Sequence, residues 1–280
     1  MDKRTVIDPD FDHYQGFFDH DWAKRMNAAA EGTPLAQIVL DLLAAWKAAS
    51  NTHRLPWLAI HFFEAFAKGF CGTREPITRT CMAVVAERLP REMPGLRNMQ
   101  RQEMGKVLDR ISEQVLAVPE KAIGEFVAGK LWGSLLSAPQ HYEFTSSIWA
   151  SQRLCYGALY YGYEDFMVRI YRVVTVQPKY RMRRANEFAD DLAQTFTREL
   201  SDYCTGGEVN IARLVRNALA HHGGRITEEL KAEKHGVWVE NGELQIVAAD
   251  THALFALLSQ RAIRMTTEAL ARLSQQKDAS

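Results

Sequence analysis

Hydrophobic residues recur along most of the chain at spacings of three, four and seven, the pattern of helices that bury one face. The longest such stripe lies between residues 145 and 174. Its members are Trp149, Tyr156, Tyr160, Tyr163, Met167, Ile170 and Val174. We interpret the stripe as the core-facing side of one long helix rather than as a ligand-stacking surface. Gly157 and Gly162 in the same segment favour close packing against another helix.

The first half of the chain also has helical periodicity. Thr33 and Pro34 are typical of an N-cap and a first helical position, and they precede an apolar segment that ends near Ser50. Four more helical segments are predicted before residue 140, at residues 57–70, 76–90, 103–119 and 119–139. This helical array contains no motif that indicates a chemistry.

Only residues 236–247 alternate in the way expected of strands. Asn241 and Gly242 lie between the two runs and are typical of a type I′ hairpin turn, which places Val239 opposite Leu244. Asp250 is the predicted N-cap of a final amphipathic helix. The pattern therefore predicts an all-α fold. A helical bundle with one short β-hairpin occupies residues 145–276, and an additional helical region occupies residues 1–140.

Composition and charge narrow the functional classes. The chain has 280 residues, of which 47% are hydrophobic and 24% charged, as in soluble globular proteins. Lys plus Arg and Asp plus Glu number 34 each, so no overall field steers the protein toward nucleic acid or a membrane. The sequence shows no secretory signal and no apolar run of membrane-spanning length. Its four cysteines are not spaced for zinc, so we expect reduced thiols and a cytoplasmic location.

Motifs of the common enzyme classes are missing. The chain has no Walker A, GxGxxG, HExxH, GxSxG or EF-hand pattern, which argues against the corresponding hydrolases, dehydrogenases and metalloproteases. Two Phe-Asp-His triplets bring His13 and His20 into an apolar segment and raise the question of a metal site. No further ligands are evident nearby. We therefore expect ordinary packing or helix capping there, and no metal or cofactor.

The segment VRNALAHHGG at residues 215–224 carries the most informative polar residues. At about 100° per residue, Asn217 and His221 share one polar stripe of a helix, whereas Arg216 lies roughly 140° around from His221. Gly223 is a natural residue for ending such a helix. An ordinary amphipathic helix with a histidine near its negative end would produce the same spacing.

The same segment resembles the signature of the HEPN family (higher eukaryotes and prokaryotes nucleotide-binding domain), in which Arg and a polar residue are followed by His late in a helix. Arg216, Asn217 and His221 match it, with four residues between Arg and His. The resemblance extends over about residues 145–275, through the preceding long helix and the following short strand segment. It implies a metal-independent endoribonuclease that leaves 2′,3′-cyclic phosphate and 5′-OH ends. The imidazole of His221 would transfer protons near neutral pH, Arg216 would bind the phosphate and Asn217 would orient either group.

One helix directs Arg216 and His221 apart, so a single phosphate is reached more easily from two facing copies of the helix. HEPN domains typically dimerise in this way, and we expect a homodimer with RNA bound in the shared cleft. By the same association the protein would be a toxin or an antiviral-defence effector, with a protein inhibitor or a sensor partner. Two alternatives stay open: a non-catalytic HEPN module that binds nucleotide, RNA or a protein, and a helical scaffold.

Further polar residues are candidates for weaker roles. The basic connector QPKYRMRR places cations around an aromatic ring, a combination that suits single-stranded RNA, although a solvated loop explains it equally well. Its candidate RNA-binding residues are Lys179, Tyr180, Arg181, Arg183 and Arg184. We expect a structural or solvent-facing role for His222. Asp165 and Arg169 resemble an acidic–basic pair of some HEPN ribonucleases, but an ordinary surface pair is the simpler interpretation.

Overall fold

The computed structural model describes residues 16–72, 74–92, 101–117, 140–182 and 184–278. These residues form an all-α fold with one short antiparallel hairpin, which confirms the predicted fold class. The helices are α1 (His20–Ala30), α2 (Ala36–Gly72), α3 (Arg74–Glu92), α4 (Arg101–Leu116), α5 (Gln140–Thr175), α6 (Ala185–Thr195), α7 (Arg198–Thr205), α8 (Gly207–His221), α9 (Glu228–Ala232) and α10 (Ala248–Asp278). None of these described helices combines the length and apolarity that crossing a membrane requires.

The chain divides into two compact units, and the division differs from the predicted regions at 1–140 and 145–276. Residues up to Pro56 belong with those from Thr145 onward, and residues 57–144 form the other unit. The first segment joins the C-terminal helices through aromatic packing. The ring of Trp46 lies 5.4 Å from the rings of both Trp22 and Phe255. Periodicity identifies a buried face but not its partner, so the sequence pattern alone does not assign α1 to this unit.

The second unit contains the end of α2, the helices α3 and α4, and the beginning of α5. Helices α3 and α4 lie against each other. They correspond to the segments predicted at 76–90 and 103–119. The helix predicted at 119–139 lies outside the described residues.

Helix α2 continues through Pro56, where the sequence predicts a new helix to begin. A proline inside a helix cannot donate a hydrogen bond to the carbonyl four residues earlier, here that of Thr52. The Ser151 hydroxyl approaches that carbonyl oxygen at the long distance of 3.5 Å. This contact from α5 supplies a weak replacement donor, so the helix passes the proline with a partly satisfied backbone.

The aromatic stripe of α5 forms the centre of the first unit, as predicted. From Tyr156 to Val174 its members are buried, and Trp149 at its beginning is half-buried. Gly162 permits the close approach expected of it, because a Cβ there would lie 3.1 Å from Nε1 of Trp46. That indole nitrogen donates to the Leu159 carbonyl at 3.0 Å. Gly157, in contrast, faces open space.

The hairpin has the predicted turn and register. Strands β1 (Trp238–Glu240) and β2 (Glu243–Gln245) pair so that Val239 lies opposite Leu244, and both Asn241 and Gly242 have positive φ. The predicted N-cap at Asp250 is wrong, because α10 begins at Ala248. The Asp250 carboxylate instead accepts a hydrogen bond from the Val247 N–H at 3.0 Å.

The hairpin also holds the chain that follows α8. The Leu244 N–H donates to the Gly224 carbonyl at 2.8 Å, and the Ile226 N–H donates to the Gly242 carbonyl at 3.0 Å. The guanidinium of Arg153 on α5 donates to the Leu244 carbonyl at 2.8 Å. These bonds fix the exit of α8, and with it the turn that carries His221.

Candidate functional site

Helix α8 carries the residues that the sequence singles out. It buries an apolar face whose members include Val209, Ala212, Leu214, Val215 and Ala218. The helix ends at His221, where the N–H groups of His222 and Gly224 donate to the Ala218 carbonyl at 3.1 and 2.9 Å. Gly223 follows with φ +62°, a backbone conformation that glycine adopts without strain and that confirms it as the helix stop.

Arg216 is held on two sides by oxygen acceptors. It donates from Nη2 to Oε2 of Glu164 on α5 at 2.7 Å, and from Nη1 to Oδ1 of Asn217 at 2.8 Å. Only 19% of each side chain in the Arg216–Glu164 pair is exposed. The guanidinium is therefore fixed in a largely desolvated position before any ligand binds.

The environment of Glu164 disfavours its charged form. Burial raises the pKa of this carboxyl above its ordinary value, and the nearby guanidinium groups of Arg216 and Arg213 oppose that shift without cancelling it. The charged carboxylate therefore holds Arg216, although burial makes its ionised form less stable than that of a fully solvated glutamate.

Arg213, one turn before Arg216, is held by a neutral group. Its Nε and Nη2 both donate to Oδ1 of Asn210, at 3.0 and 2.9 Å. This fork orients the guanidinium but leaves its charge without a bonded counterion. Arg213 lies four residues before Asn217 and therefore on the same polar stripe of the helix, although the sequence did not suggest a functional role for it.

A cavity of about 730 Å³ opens beside these arginines. Helices α5, α6, α7 and α8 and the connector before α6 contribute its walls. The charged and amide side chains that line it are those of Glu164, Arg184, Asn186, Asp202, Asn210, Arg213, Arg216 and Asn217. Volumes of this size are typical of small-molecule and nucleotide sites.

His221 does not line this cavity. Both His221 and His222 are exposed at the end of α8, whereas Arg216 and Asn217 are half-buried in the cavity wall. The structure thus brings Arg216 and Asn217 together in the cavity wall, whereas His221 lies at the exposed end of the helix, outside the cavity. Among the described residues, no group of three or more His, Cys, Asp or Glu side chains could hold a metal ion.

The residues of the basic connector differ in how far they are exposed to solvent. Lys179 and Arg181 are exposed, while the Tyr180 ring lies 4.4 Å from that of Tyr171 and its hydroxyl donates to Oδ2 of Asp191 at 2.5 Å. Arg184 is exposed and lines the cavity. Arg183 lies outside the described residues.

Two other polar groups have structural partners. Arg169 contacts Asp41 on α2 at 2.7 Å and Asp165 on its own helix at 3.6 Å. The predicted pair of Asp165 and Arg169 is therefore an ion pair, and Asp41 is a second, closer partner of Arg169. The Asp19 side chain caps α1 by accepting from the N–H groups of Asp21 and Trp22. His20 next to it is exposed, and His13 lies outside the described residues.

Glu164 is not among the residues that the sequence pattern singled out, whereas its neighbour Asp165 is. A signal was present, since Glu164 lies four residues after Tyr160 and therefore at the edge of the buried stripe of α5. An acid at that position faces whichever helix packs on the stripe. That the partner is α8, 52 residues away, follows only from the fold.

No family model, no curated protein and no solved structure matches this chain. The chemistry available at the site is that of its own side chains. They are a guanidinium fixed in a cavity wall, an amide beside it, and an exposed imidazole at the end of the same helix.

Proposed function

We propose that the protein is a metal-independent endoribonuclease whose site is built on α8. The observation that carries the proposal is the fixed position of Arg216, bonded to Glu164 and Asn217 at the wall of an open cavity. A preorganised guanidinium suits a phosphate that gains charge during reaction, because it requires no rearrangement at the moment of bond breaking. The resemblance of this helix to the HEPN signature supports the same assignment.

The reaction uses the nucleophile that RNA itself carries. The 2′-oxygen attacks phosphorus, its proton passes to a neutral imidazole, and the bond from phosphorus to the 5′-oxygen breaks. The leaving 5′-oxygen takes a proton from a protonated imidazole, so the products are a 2′,3′-cyclic phosphate and a 5′-OH end. Histidine suits both transfers because its ordinary pKa lies near neutrality.

Two protomers complete the site in this proposal. Within one chain Arg216 turns toward α5 and the cavity, whereas His221 is exposed at the helix end outside the cavity. Pairing of two α8 helices about a two-fold axis brings Arg216 of one protomer to His221 of the other. The dimer then has two equivalent sites, each with one imidazole, which accepts the 2′-OH proton and returns it to the leaving 5′-oxygen. A cytoplasmic toxin or antiviral-defence effector, restrained by a protein partner, is the biological role that fits such a nuclease.

Cleavage of end-labelled RNA in EDTA tests the proposal. We expect the wild-type protein to release cyclic-phosphate ends, and His221→Ala and Arg216→Ala to lower the rate by about 10²-fold or more. His222→Ala is the matched control, since it removes an adjacent exposed histidine and leaves the motif intact. Equal cleavage by His221→Ala and wild type contradicts the assignment.

A non-catalytic binding module is the second candidate, and the position of His221 favours it. The cavity contains three arginines, while the imidazole needed for proton transfer lies outside it. Intact RNA in the EDTA assay, together with binding that depends on Arg216, would support this function. A protein that neither cleaves nor binds RNA would be a helical scaffold.

A further inference from the structure

Two helix N-termini and three arginines converge on the same cavity. Helices α6 and α8 begin at its wall, and their N-cap residues, Arg184 and Gly206, have no side chain able to accept a hydrogen bond. Helices α1, α7 and α9 are instead capped by the side chains of Asp19, Thr197 and Thr227. The first-turn N–H groups of α6 and α8 therefore keep their partial positive charge toward the cavity, an arrangement that favours an anion.

The ion pairs around the cavity leave the charge of Arg213 unmatched. Glu164 pairs with Arg216, Arg184 pairs with Glu187 at 3.8 Å, and Asp202 pairs with Arg198 at 3.3 Å. Within the part of the chain that the structure describes, no carboxylate lies within 4 Å of the Arg213 guanidinium, which is fixed by Asn210 alone. Among the lining residues that the structure describes, three arginines face two carboxylates, an excess of positive charge that favours an anion such as a phosphodiester.

We propose that Arg213, with the N-termini of α6 and α8, binds a backbone phosphate adjacent to the one that is cleaved. This inference rests on the proposed ribonuclease function and defines its substrate as single-stranded RNA. Side chains three residues apart on a helix are neighbours, with Cβ atoms about 5–6 Å apart. A phosphate on Arg213 therefore lies next to a phosphate on Arg216 along one strand. The cavity volume of about 730 Å³ is that of a small-molecule site and suits an unpaired nucleotide, whereas a base-paired strand keeps its nucleotides in the duplex.

Binding of a non-cleavable 2′-O-methyl RNA octamer at several salt concentrations tests the subsite separately from cleavage. We expect Arg213→Gln to weaken binding about tenfold, as for a lost charge-assisted contact. It should also lower the slope of log affinity against log salt by about 0.7, the value for one phosphate on a single strand. Arg213→Lys keeps the charge and should keep the slope. Arg272→Gln, an exposed arginine of α10, is the matched control and should leave both quantities unchanged.

A second variant covers the case in which Arg213→Gln does not fold. Asn186→Asp places a carboxylate in the cavity at the first turn of α6, where a negative charge is tolerated by the helix. It should weaken octamer binding without lowering the melting temperature. In the cleavage assay, Arg213→Gln should raise KM and leave kcat within twofold.

The proposal is overturned if affinity and salt slope of Arg213→Gln and Asn186→Asp equal those of wild type. It is also overturned if uridine 5′-monophosphate binds as tightly as the octamer, since the cavity would then be a free-nucleotide site. A wild-type protein that leaves RNA intact in EDTA contradicts the ribonuclease function instead. In that event, the octamer measurement still decides whether the cavity binds a strand of RNA.

Discussion

The Arg216 guanidinium and the Glu164 carboxylate meet at 2.7 Å between α8 and α5, with 19% of each side chain exposed. The pair joins the helix that carries the motif to the helix at the centre of the core. Since burial raises the pKa of Glu164 despite the adjacent arginines, its charge is retained at a cost in stability.

Glu164→Gln should change how stability depends on pH. The unfolded chain releases the Glu164 proton near the ordinary pKa of 4.5, whereas the folded protein binds it to higher pH. At Glu164 the folded state therefore holds more proton than the unfolded state in that window, so the contribution of this carboxyl to stability falls as pH rises through it. Because glutamine does not titrate, the free energy of unfolding of Glu164→Gln relative to wild type should rise between pH 4 and pH 7. Urea unfolding at several pH values measures this difference.

Asp165→Asn is the matched control for that series. Asp165 is exposed next to Glu164 on the same helix, and it contacts Arg169 at 3.6 Å. The free energy of unfolding of Asp165→Asn relative to wild type should therefore not rise with pH. If Glu164→Gln instead becomes less stable relative to wild type as pH rises, the pKa of Glu164 is lowered in the fold and the assignment is wrong.

Two glycines of α5 should respond oppositely to alanine. A Cβ at Gly162 would lie 3.1 Å from Nε1 and 3.3 Å from Cδ1 of the Trp46 side chain, whose hydrogen bond to Leu159 limits its movement. We expect Gly162→Ala to destabilise the protein by about 1–3 kcal/mol, as overpacked substitutions do. Gly157 has open space, so Gly157→Ala should stabilise by about 0.5–1 kcal/mol through helix propensity. Thermal unfolding of the two variants checks the sign of each effect.

The core and the hairpin were predictable because their signals are local. The spacing of Tyr156, Tyr160 and Tyr163 defines a buried helix face without knowledge of what covers it, and Asn241-Gly242 specifies turn and register together. The site depends on contacts between distant segments. Glu164 meets Arg216 across 52 residues, and the cavity requires four helices to be placed together. The continuation of helix α2 through Pro56 was not predictable for the same reason, since the contact of Ser151 with Thr52 spans 99 residues.

The basic connector should bind RNA through its exposed cations and not through its aromatic ring. Tyr180 packs on Tyr171 and donates its hydroxyl to Asp191, so Tyr180→Phe should cost about 0.5–1.5 kcal/mol of stability and leave octamer affinity unchanged. Replacing Lys179 and Arg181 by glutamine should lower that affinity and its salt dependence. Fluorescence anisotropy of the octamer with both proteins makes the comparison. Because phenylalanine keeps the ring, Tyr180→Leu completes the test, and a large loss of octamer affinity in that variant would show that the ring stacks on bases.

Mixing two inactive variants should restore cleavage if the site is shared between protomers. In a heterodimer of Arg216→Ala with His221→Ala, one site lacks both residues and the other keeps both, because each protomer supplies what its partner lacks. Random exchange makes about half of the dimers heterodimers, each with one working site, so the mixture should reach about a quarter of wild-type activity.

Sites contained within single chains give no recovery on mixing, since every site then lacks one of the two residues. The measurement is the rate of RNA cleavage in EDTA after the two proteins are unfolded together and refolded. Each variant carried through the same treatment alone is the control. A mixture as inactive as its components would contradict a site in which Arg216 of one protomer acts with His221 of the other.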